Sequence, residues 1–118
     1  MADSLEQLRK RLAAFARERD WEQFHSPKNL SMALIAEAAE LVEHFQWLKE
    51  DESFQLSPEK LEEVRLELAD IQIFLIRIAD QLGVDLVQAA QDKTDLNEKR
   101  FPVEKVKGVA LRGTDLDQ

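Results

Sequence analysis

Apolar residues recur at helical spacing along most of the chain. Near the N-terminus they form one stripe with the 3-4-3 spacing of a buried helix face: Leu5, Leu8, Leu12 and Phe15. Ser4 and Gln7 together have the form of a capping box, which predicts that the first helix opens there. No strand-like alternation of useful length occurs, so the pattern predicts an all-α protein.

Capping signals predict the bounds of the next two helices. Asn29 is a good N-cap for a second helix over about residues 30–49, after an irregular connector. Ser57 followed by Pro58 reads as an N-cap and a first helical residue. These two residues predict a third helix that runs to about Leu82.

The end of the third helix and the start of a fourth are also marked. Gly83 fits a left-handed C-terminal cap, and Asp85 can cap a fourth helix over about residues 86–100. We therefore expect a four-helix bundle over residues 1–102. Residues 103–118 are polar and are expected to form a C-terminal tail that is loosely ordered unless a neighbouring subunit holds it.

Two pairs of acidic residues interrupt the apolar stripes of the second and third helices. Glu37 and Glu40 lie in one helix, and Glu67 and Asp70 lie in the other. Because residues three apart share a helix face, packing through these stripes would bring four carboxylates together. Two charges 4 Å apart repel by about 4 kcal/mol at an effective dielectric near 20, so such a cluster requires cations. The alternative interpretation is that the acids simply face solvent.

The ligand type indicates which metal these four acids would bind. Carboxylate oxygens suit hard cations, so Mg²⁺ is expected and Mn²⁺ is possible. A di-iron bundle would need Glu-x-x-His motifs, but Glu40 and Asp70 stand where histidine would be required. A Mg²⁺ site usually shares its coordination with substrate phosphates, so phosphoryl chemistry is the natural use.

Other residues are candidates for contacts with a phosphorylated substrate. Three side chains of the fourth helix could bind phosphates: Lys93, Asn97 and Arg100. The alternative interpretation is that these residues lie at a solvent-exposed helix end, where basic side chains interact favourably with the helix dipole. Trp21 and Trp47 could stack a nucleobase or pack in an oligomer interface. His25 could hydrogen-bond a base or sugar, or be an ordinary loop histidine.

Composition narrows the classes of function. The 118 residues suggest one domain, with oligomerisation as a source of further burial. A net charge of -8 disfavours binding to a nucleic acid polymer. The absence of cysteine excludes thiolate zinc sites and thiol nucleophiles, and the three glycines form no phosphate-binding loop. No apolar run is long enough to span a membrane, so we expect a cytoplasmic protein.

Several short motifs occur together along the chain. They are Glu37-Ala-Ala-Glu40, Phe45-Gln-Trp47, Glu67-Leu-Ala-Asp70 and the run from Lys93 to Pro102. In combination they resemble the MazG-like nucleotide pyrophosphohydrolases of the all-α NTP pyrophosphatase superfamily. The connector over residues 20–25 and the tail motif Thr114-Asp-Leu116 resemble the dCTP pyrophosphatase branch in particular.

This resemblance implies an activity and a set of site residues. Such enzymes cleave a nucleoside triphosphate to a monophosphate and pyrophosphate, cleanse the nucleotide pool, and form homodimers or homotetramers. The two acidic pairs would match the Mg²⁺ ligands and supply the catalytic carboxylates. The connector from Trp21 to His25, with Trp47, would match the nucleotide pocket. Lys93, Asn97 and Arg100 fall in the segment that closes over the phosphates.

Two positions depart from the dCTP-preferring pattern. Leu12 stands where a histidine is expected in the first helix, and Phe74 stands where a tyrosine is expected in the nucleotide pocket. Each change removes a polar contact to the nucleotide, and such losses can alter discrimination strongly. The sequence therefore leaves the preferred base open. A non-catalytic helical interaction module and a nucleotide-binding regulator are the alternative functions.

Overall fold

The computed structural model describes residues 4–110, and all of their regular structure is helical. It contains five α-helices: α1 (Ser4–Glu18), α2 (Pro27–Glu43), α3 (Pro58–Leu82), α4 (Leu86–Arg100) and α5 (Val103–Val106). Two short 3₁₀ turns, Glu22–Phe24 and Glu52–Phe54, lie in the connections before α2 and α3. No strand occurs in this part of the chain, so the all-α class and the four long helices are confirmed.

The start of α2 differs from the prediction by three residues. Ser26, not Asn29, is the N-cap: its backbone is extended, and its Oγ accepts a hydrogen bond from the Asn29 backbone N at 3.1 Å. Pro27 follows as the first helical residue, where its missing N–H costs nothing. The Asn29 side chain instead donates to the Phe24 carbonyl at 3.1 Å, which ties the connector to the helix.

The end of α2 also differs, since the helix stops at Glu43 and not near residue 49. Beyond it the chain tightens into turns, in which the Phe45 N–H donates to the Val42 carbonyl and the Leu48 N–H to the Phe45 carbonyl. Trp47 therefore lies beyond the end of α2 and shares no helix face with the acidic residues. Its side chain is 88% exposed.

Helix α3 begins and ends where the sequence predicts. Ser57 Oγ accepts from the Lys60 backbone N at 3.2 Å, and Pro58 is the first helical residue. Gly83 ends the helix in the left-handed conformation with a φ of 68°, while the Val84 N–H donates back to the Ala79 carbonyl.

The chain divides into two compact units, one up to Val84 and the other from Asp85 onward. In the first unit, α3 packs against both α1 and α2. The most buried apolar side chains come from all three helices: Ala16, Leu30, Val64, Ile76 and Ala79. Fully burying a side chain such as Leu30 or Ile76 contributes about 1.5–3 kcal/mol, so this packing fixes the position of α2 on α3.

The second unit contains α4 and α5. Asp85 caps α4 as predicted, because its Oδ1 accepts from the Gln88 backbone N at 3.0 Å. The segment predicted as a loosely ordered tail starts with the single-turn helix α5 instead. The motif at Thr114–Leu116 lies outside the described residues, and the division into residues 1–102 and 103–118 stays a prediction.

Substitution can distinguish Ser26, the observed N-cap of α2, from Asn29, the predicted one. We expect Ser26→Ala to lower the free energy of unfolding by about 1 kcal/mol, because it removes the acceptor for the Asn29 backbone N. Asn29→Ala should cost less, since it removes only one exposed side-chain hydrogen bond. Urea denaturation of both variants measures the difference, and a larger loss for Asn29→Ala would contradict the assignment.

Candidate metal and nucleotide site

The packing of α2 on α3 brings three acidic side chains together. Carboxylate oxygens of Glu37, Glu67 and Asp70 all lie within 4.8 Å of one another. Glu37 and Glu67 are half-buried, whereas Asp70 is exposed. The predicted convergence of the two acidic motifs is therefore present, and the cluster opens to solvent on the Asp70 side. We call these three residues the acidic trio.

Two oxygens of the acidic trio are buried without a hydrogen-bond partner: Glu37 Oε2 and Glu67 Oε1. Ionised carboxylates only accept hydrogen bonds, so neither residue can satisfy the other without a proton between them. The hydrogen bond that Glu37 can make with Glu67 once it is protonated is the largest cause of its raised pKa, and burial is the second. A hydrogen bond with Glu40 lowers the pKa of Glu37, against the larger effects.

The donor set of the acidic trio suits a divalent cation. Its ligand atoms are all carboxylate oxygens, which favour hard cations such as Mg²⁺ and Mn²⁺. A cation would satisfy the two unpartnered oxygens and remove the repulsion between the carboxylates. The structure thus fits the sequence-based expectation of a metal site.

Glu40 differs from the other predicted ligands. It is exposed and falls outside the group of three whose oxygens lie within 4.8 Å, although it interacts with Glu37. Three of the four predicted ligands therefore lie together, and the fourth acid interacts with one of them. Glu40 as a metal ligand stays a prediction.

A neighbouring acid on α3 is compensated within the protein. Lys60 Nζ lies 3.2 Å from Glu63 Oε2 and 3.4 Å from His44 Nδ1. These contacts border a pocket of about 310 Å³ between the end of α2 and the start of α3, and it includes His44, Ser57 and Lys60 in its lining. Because Lys60 supplies a positive charge here, Glu63 needs no external cation.

Aromatic side chains gather at the connector between α1 and α2. The rings of Phe15 and Trp21 meet edge to face with centroids 5.7 Å apart, and the rings of Trp21 and His25 lie 6.5 Å apart. Phe15 is 43% exposed, so it does not belong to the buried stripe predicted for α1; Ala16 is buried there instead. Trp21 is also partly open to solvent, which leaves part of its ring available for stacking.

The remaining residues predicted to contact the substrate lie on α3 and α4. Phe74 is half-buried on α3. The predicted phosphate-binding residues lie on α4, and their spacing of four and three places them on one face: Lys93, Asn97 and Arg100. Lys93 and Arg100 are exposed and Asn97 is half-buried. The phosphate-binding role of these three residues stays a prediction.

Arg77 is a buried residue in contact with the candidate site residue His25, and the sequence analysis did not single it out. It is only 4% exposed, and its Nε donates to His25 Nδ1 at 3.3 Å. The available signal was its place in α3, between Ile76 and Ile78 in an otherwise apolar stretch. A charge in that position requires nearby partners, which here are Asp80 and His25.

Comparison with known proteins identifies the family of the chain. Residues 33–116 match the model of the MazG-like family. The chain belongs to the MazG-like family. It is 45% identical to dCTP pyrophosphatase 1 of Bos taurus and 40% identical to that of Homo sapiens, each over 96% of this chain and 68% of the relative. The crystal structure of a pyrophosphatase from Archaeoglobus fulgidus superposes with a TM-score of 0.81, at 34% identity over 86% of this chain and 95% of that chain.

None of the helices among residues 4–110 combines the length and the hydropathy that a membrane crossing requires.

Neutralising one acid of the trio should stabilise the metal-free protein. We expect Glu67→Gln to raise the free energy of unfolding at pH 7 by on the order of 1 kcal/mol, because it relieves repulsion that solvent partly screens. The pKa of Glu37 is raised above its ordinary value of 4.5 in the folded wild type. Its contribution to stability is therefore fully present when the pH is below 4.5, and it is lost as the pH rises through the raised pKa. The substitution should flatten that dependence.

Urea denaturation in EDTA between pH 4 and pH 8 measures this effect. Glu62→Gln is the matched control, since Glu62 is an exposed acid of the same helix whose carboxylate is paired with Arg65 at 2.7 Å. Glu62→Gln should be neutral or slightly destabilising. A destabilised Glu67→Gln protein would show that the trio does not repel itself.

Proposed function

We propose that this protein is a Mg²⁺-dependent nucleoside triphosphate pyrophosphohydrolase that serves to cleanse the nucleotide pool. It cleaves a (d)NTP between the α and β phosphates and releases a (d)NMP and pyrophosphate. The proposal is supported by its curated relatives, which are dCTP pyrophosphatases, and by its structural neighbour, which is a pyrophosphatase. The observation that carries the proposal is the acidic trio with its two buried, unpartnered oxygens.

The acidic trio would hold the cation, and each member has a distinct setting. Glu37 and Glu67 supply the enclosed oxygens, while exposed Asp70 faces the side from which a phosphate can approach. When bound, Mg²⁺ neutralises phosphate charge, orients the phosphate chain and lowers the pKa of a bound water. Glu40 interacts with Glu37 and is open to solvent, so it is our candidate for the carboxylate that accepts the proton of the attacking water.

The nucleoside is assigned to Trp21 of the connector and to Trp47, which follows the end of α2. Trp21, with part of its ring exposed, and Trp47, almost fully exposed, can stack a base, a contact worth roughly 1–3 kcal/mol. Since the relatives are dCTP pyrophosphatases, dCTP is the first substrate to consider. Leu12 and Phe74 supply no polar group, which favours a looser preference for cytosine.

Phosphate contacts are assigned to α4: Lys93, Asn97 and Arg100.

A homodimer or homotetramer is part of the proposal. Several apolar side chains on α2 and α3 are more than half exposed in the single chain: Met32, Ile35, Val42, Leu61 and Leu68. Exposed apolar side chains in this number on two neighbouring helices support an interface between subunits. Such burial would add to the small core of the first unit.

A substrate panel tests the proposed reaction directly. The protein is incubated with Mg²⁺ and each common or modified (d)NTP, and products are resolved by anion exchange. We expect a monophosphate and pyrophosphate, with dCTP among the best substrates and no product in EDTA. A diphosphate and phosphate would show that a different bond is cut. Nucleotide binding without any turnover would favour the regulator.

Substitutions in the acidic trio should separate catalysis from folding. We expect Glu37→Gln and Glu67→Gln each to lower kcat by at least about 100-fold, because each removes a charge that holds the cation at the reacting phosphate. Glu62→Gln should keep kcat within about twofold of wild type. Circular dichroism confirms that each variant is folded. Wild-type turnover in Glu67→Gln would exclude the trio as the catalytic centre.

The same variants should differ in their response to metal. At 100 times its dissociation constant, a cation that binds only the folded state adds about 2.7 kcal/mol to the free energy of unfolding. We expect this gain in the wild type and in Glu62→Gln, and its loss in Glu37→Gln. Thermal unfolding with and without Mg²⁺ measures it, and an equal gain in Glu37→Gln would place the cation elsewhere.

A further inference from the structure

Arg77 of α3 is the buried charged residue of the described chain, and its contacts extend beyond charge compensation. Its Nη1 donates to Asp80 Oδ2 at 3.0 Å, and its Nε donates to His25 Nδ1 at 3.3 Å. The other Asp80 oxygen, Oδ1, accepts from Arg9 Nη1 of α1 at 2.8 Å. Two arginines therefore share one carboxylate, and the additional donor of Arg77 is directed at an imidazole ring.

The contact with Arg77 decides the state of the His25 ring. A guanidinium can only donate hydrogen bonds, so His25 Nδ1 must be the acceptor and carries no proton. The neutral imidazole then has its proton on Nε2. Partial burial lowers the pKa of His25, the positive charge of Arg77 lowers it further, and the charge of Glu22 opposes both.

Helix α3 also fixes the backbone at His25. Gln81 Nε2 donates to the His25 carbonyl oxygen at 2.9 Å, one turn along from Arg77. On the connector side, the Trp21 ring meets the imidazole at an interplanar angle of 61°. Ring and backbone are thus both held by one rigid helix, beside an aromatic side chain that is partly open to solvent.

We propose that Arg77 is a positioning residue for nucleotide recognition, which holds His25 as a neutral imidazole whose Nε2–H donates to an acceptor on the base or sugar. This inference rests on the proposed function. A fixed donor matters in this chain because Leu12 and Phe74 offer no polar group. A protonated His25 would lose the Arg77 contact, since both of its nitrogens would then be donors.

The first test uses Arg77→Met, which removes the donor and the charge at similar volume. Asp80 keeps its partner Arg9, so no buried carboxylate is left unpaired. We expect KM for dCTP to rise about 3- to 10-fold, the scale of one lost hydrogen bond, while kcat stays within twofold. Arg65→Met is the matched control: this exposed arginine lies on the same helix and pairs with Glu62, and KM should not change.

The pH dependence of KM gives a second readout. The charged groups that face His25 are Arg77 from α3 and Glu22 from the connector. In the wild type the pKa of His25 is lowered, so KM should begin to change only below about pH 6.5, the ordinary histidine pKa. In Arg77→Met, where the neutral ring can adopt either tautomer, KM should instead fall as His25 takes up a proton, because the protonated ring always carries the Nε2–H donor. Identical pH profiles would overturn the proposal.

A double substitution shows whether Arg77 acts through His25. In a His25→Ala background, Arg77→Met should raise KM no further. His25→Gln should retain most of the affinity, because its amide nitrogen can replace the Nε2 donor, whereas His25→Asn should not. A purely structural role would give the same rise in KM for Arg77→Met in both backgrounds. It would also be shown if Arg77→Met lowered kcat and thermal stability but left KM unchanged.

Nitrogen NMR of the imidazole ring separates this inference from the proposed function. The chain has two histidines, so the His44→Gln variant, used only for spectra, leaves His25 as the sole signal. We expect an unprotonated Nδ1 and a protonated Nε2 without nucleotide, and a tautomer mixture once Arg77→Met is added. The opposite tautomer overturns the inference even if dCTP is hydrolysed. Absence of turnover in the wild type overturns the proposed function, and with it the recognition role, whatever the spectrum shows.

Discussion

Repulsion within the acidic trio is the constraint around which the first unit is built. Apolar packing between α2 and α3, centred on side chains such as Leu30 and Ile76, holds carboxylates close together although their charges oppose it. The raised pKa of Glu37 and the two unpartnered oxygens are consequences of that enforced proximity. A cation would therefore meet a preorganised site, and its binding free energy would include the relief of the repulsion that packing imposes.

Helix α3 connects the two chemically distinct parts of the proposed site. Glu67 and Asp70 of this helix belong to the trio. Arg77 lies ten residues beyond Glu67, about 15 Å of helical rise, and holds the connector through His25. Since a helix is rigid over this length, two of the three proposed metal ligands and the proposed nucleoside contact are fixed by one element. Its N-cap at Ser57 and its left-handed end at Gly83 set the register of both.

Local signals in the sequence predicted more than the long-range ones. The caps of α3 and the spacing within each acidic pair are set by residues within a few positions of each other, and both were predicted. The early end of α2 was missed because it forms through tight turns that apolar periodicity does not reveal. Arg77 was missed because its partner His25 is 52 residues away, and an arginine in sequence ordinarily indicates an exposed position.

Phosphate chemistry and base selection are assigned to different residues, and this separation follows from what each group can contact. Carboxylates that hold a cation act on the phosphate chain, which all nucleoside triphosphates share, so they cannot distinguish one base from another. Discrimination must come from groups that reach the nucleoside, where stacking on Trp21 tolerates every base. A hydrogen-bond donor of fixed direction is what stacking lacks, and the contact of Arg77 with His25 supplies one.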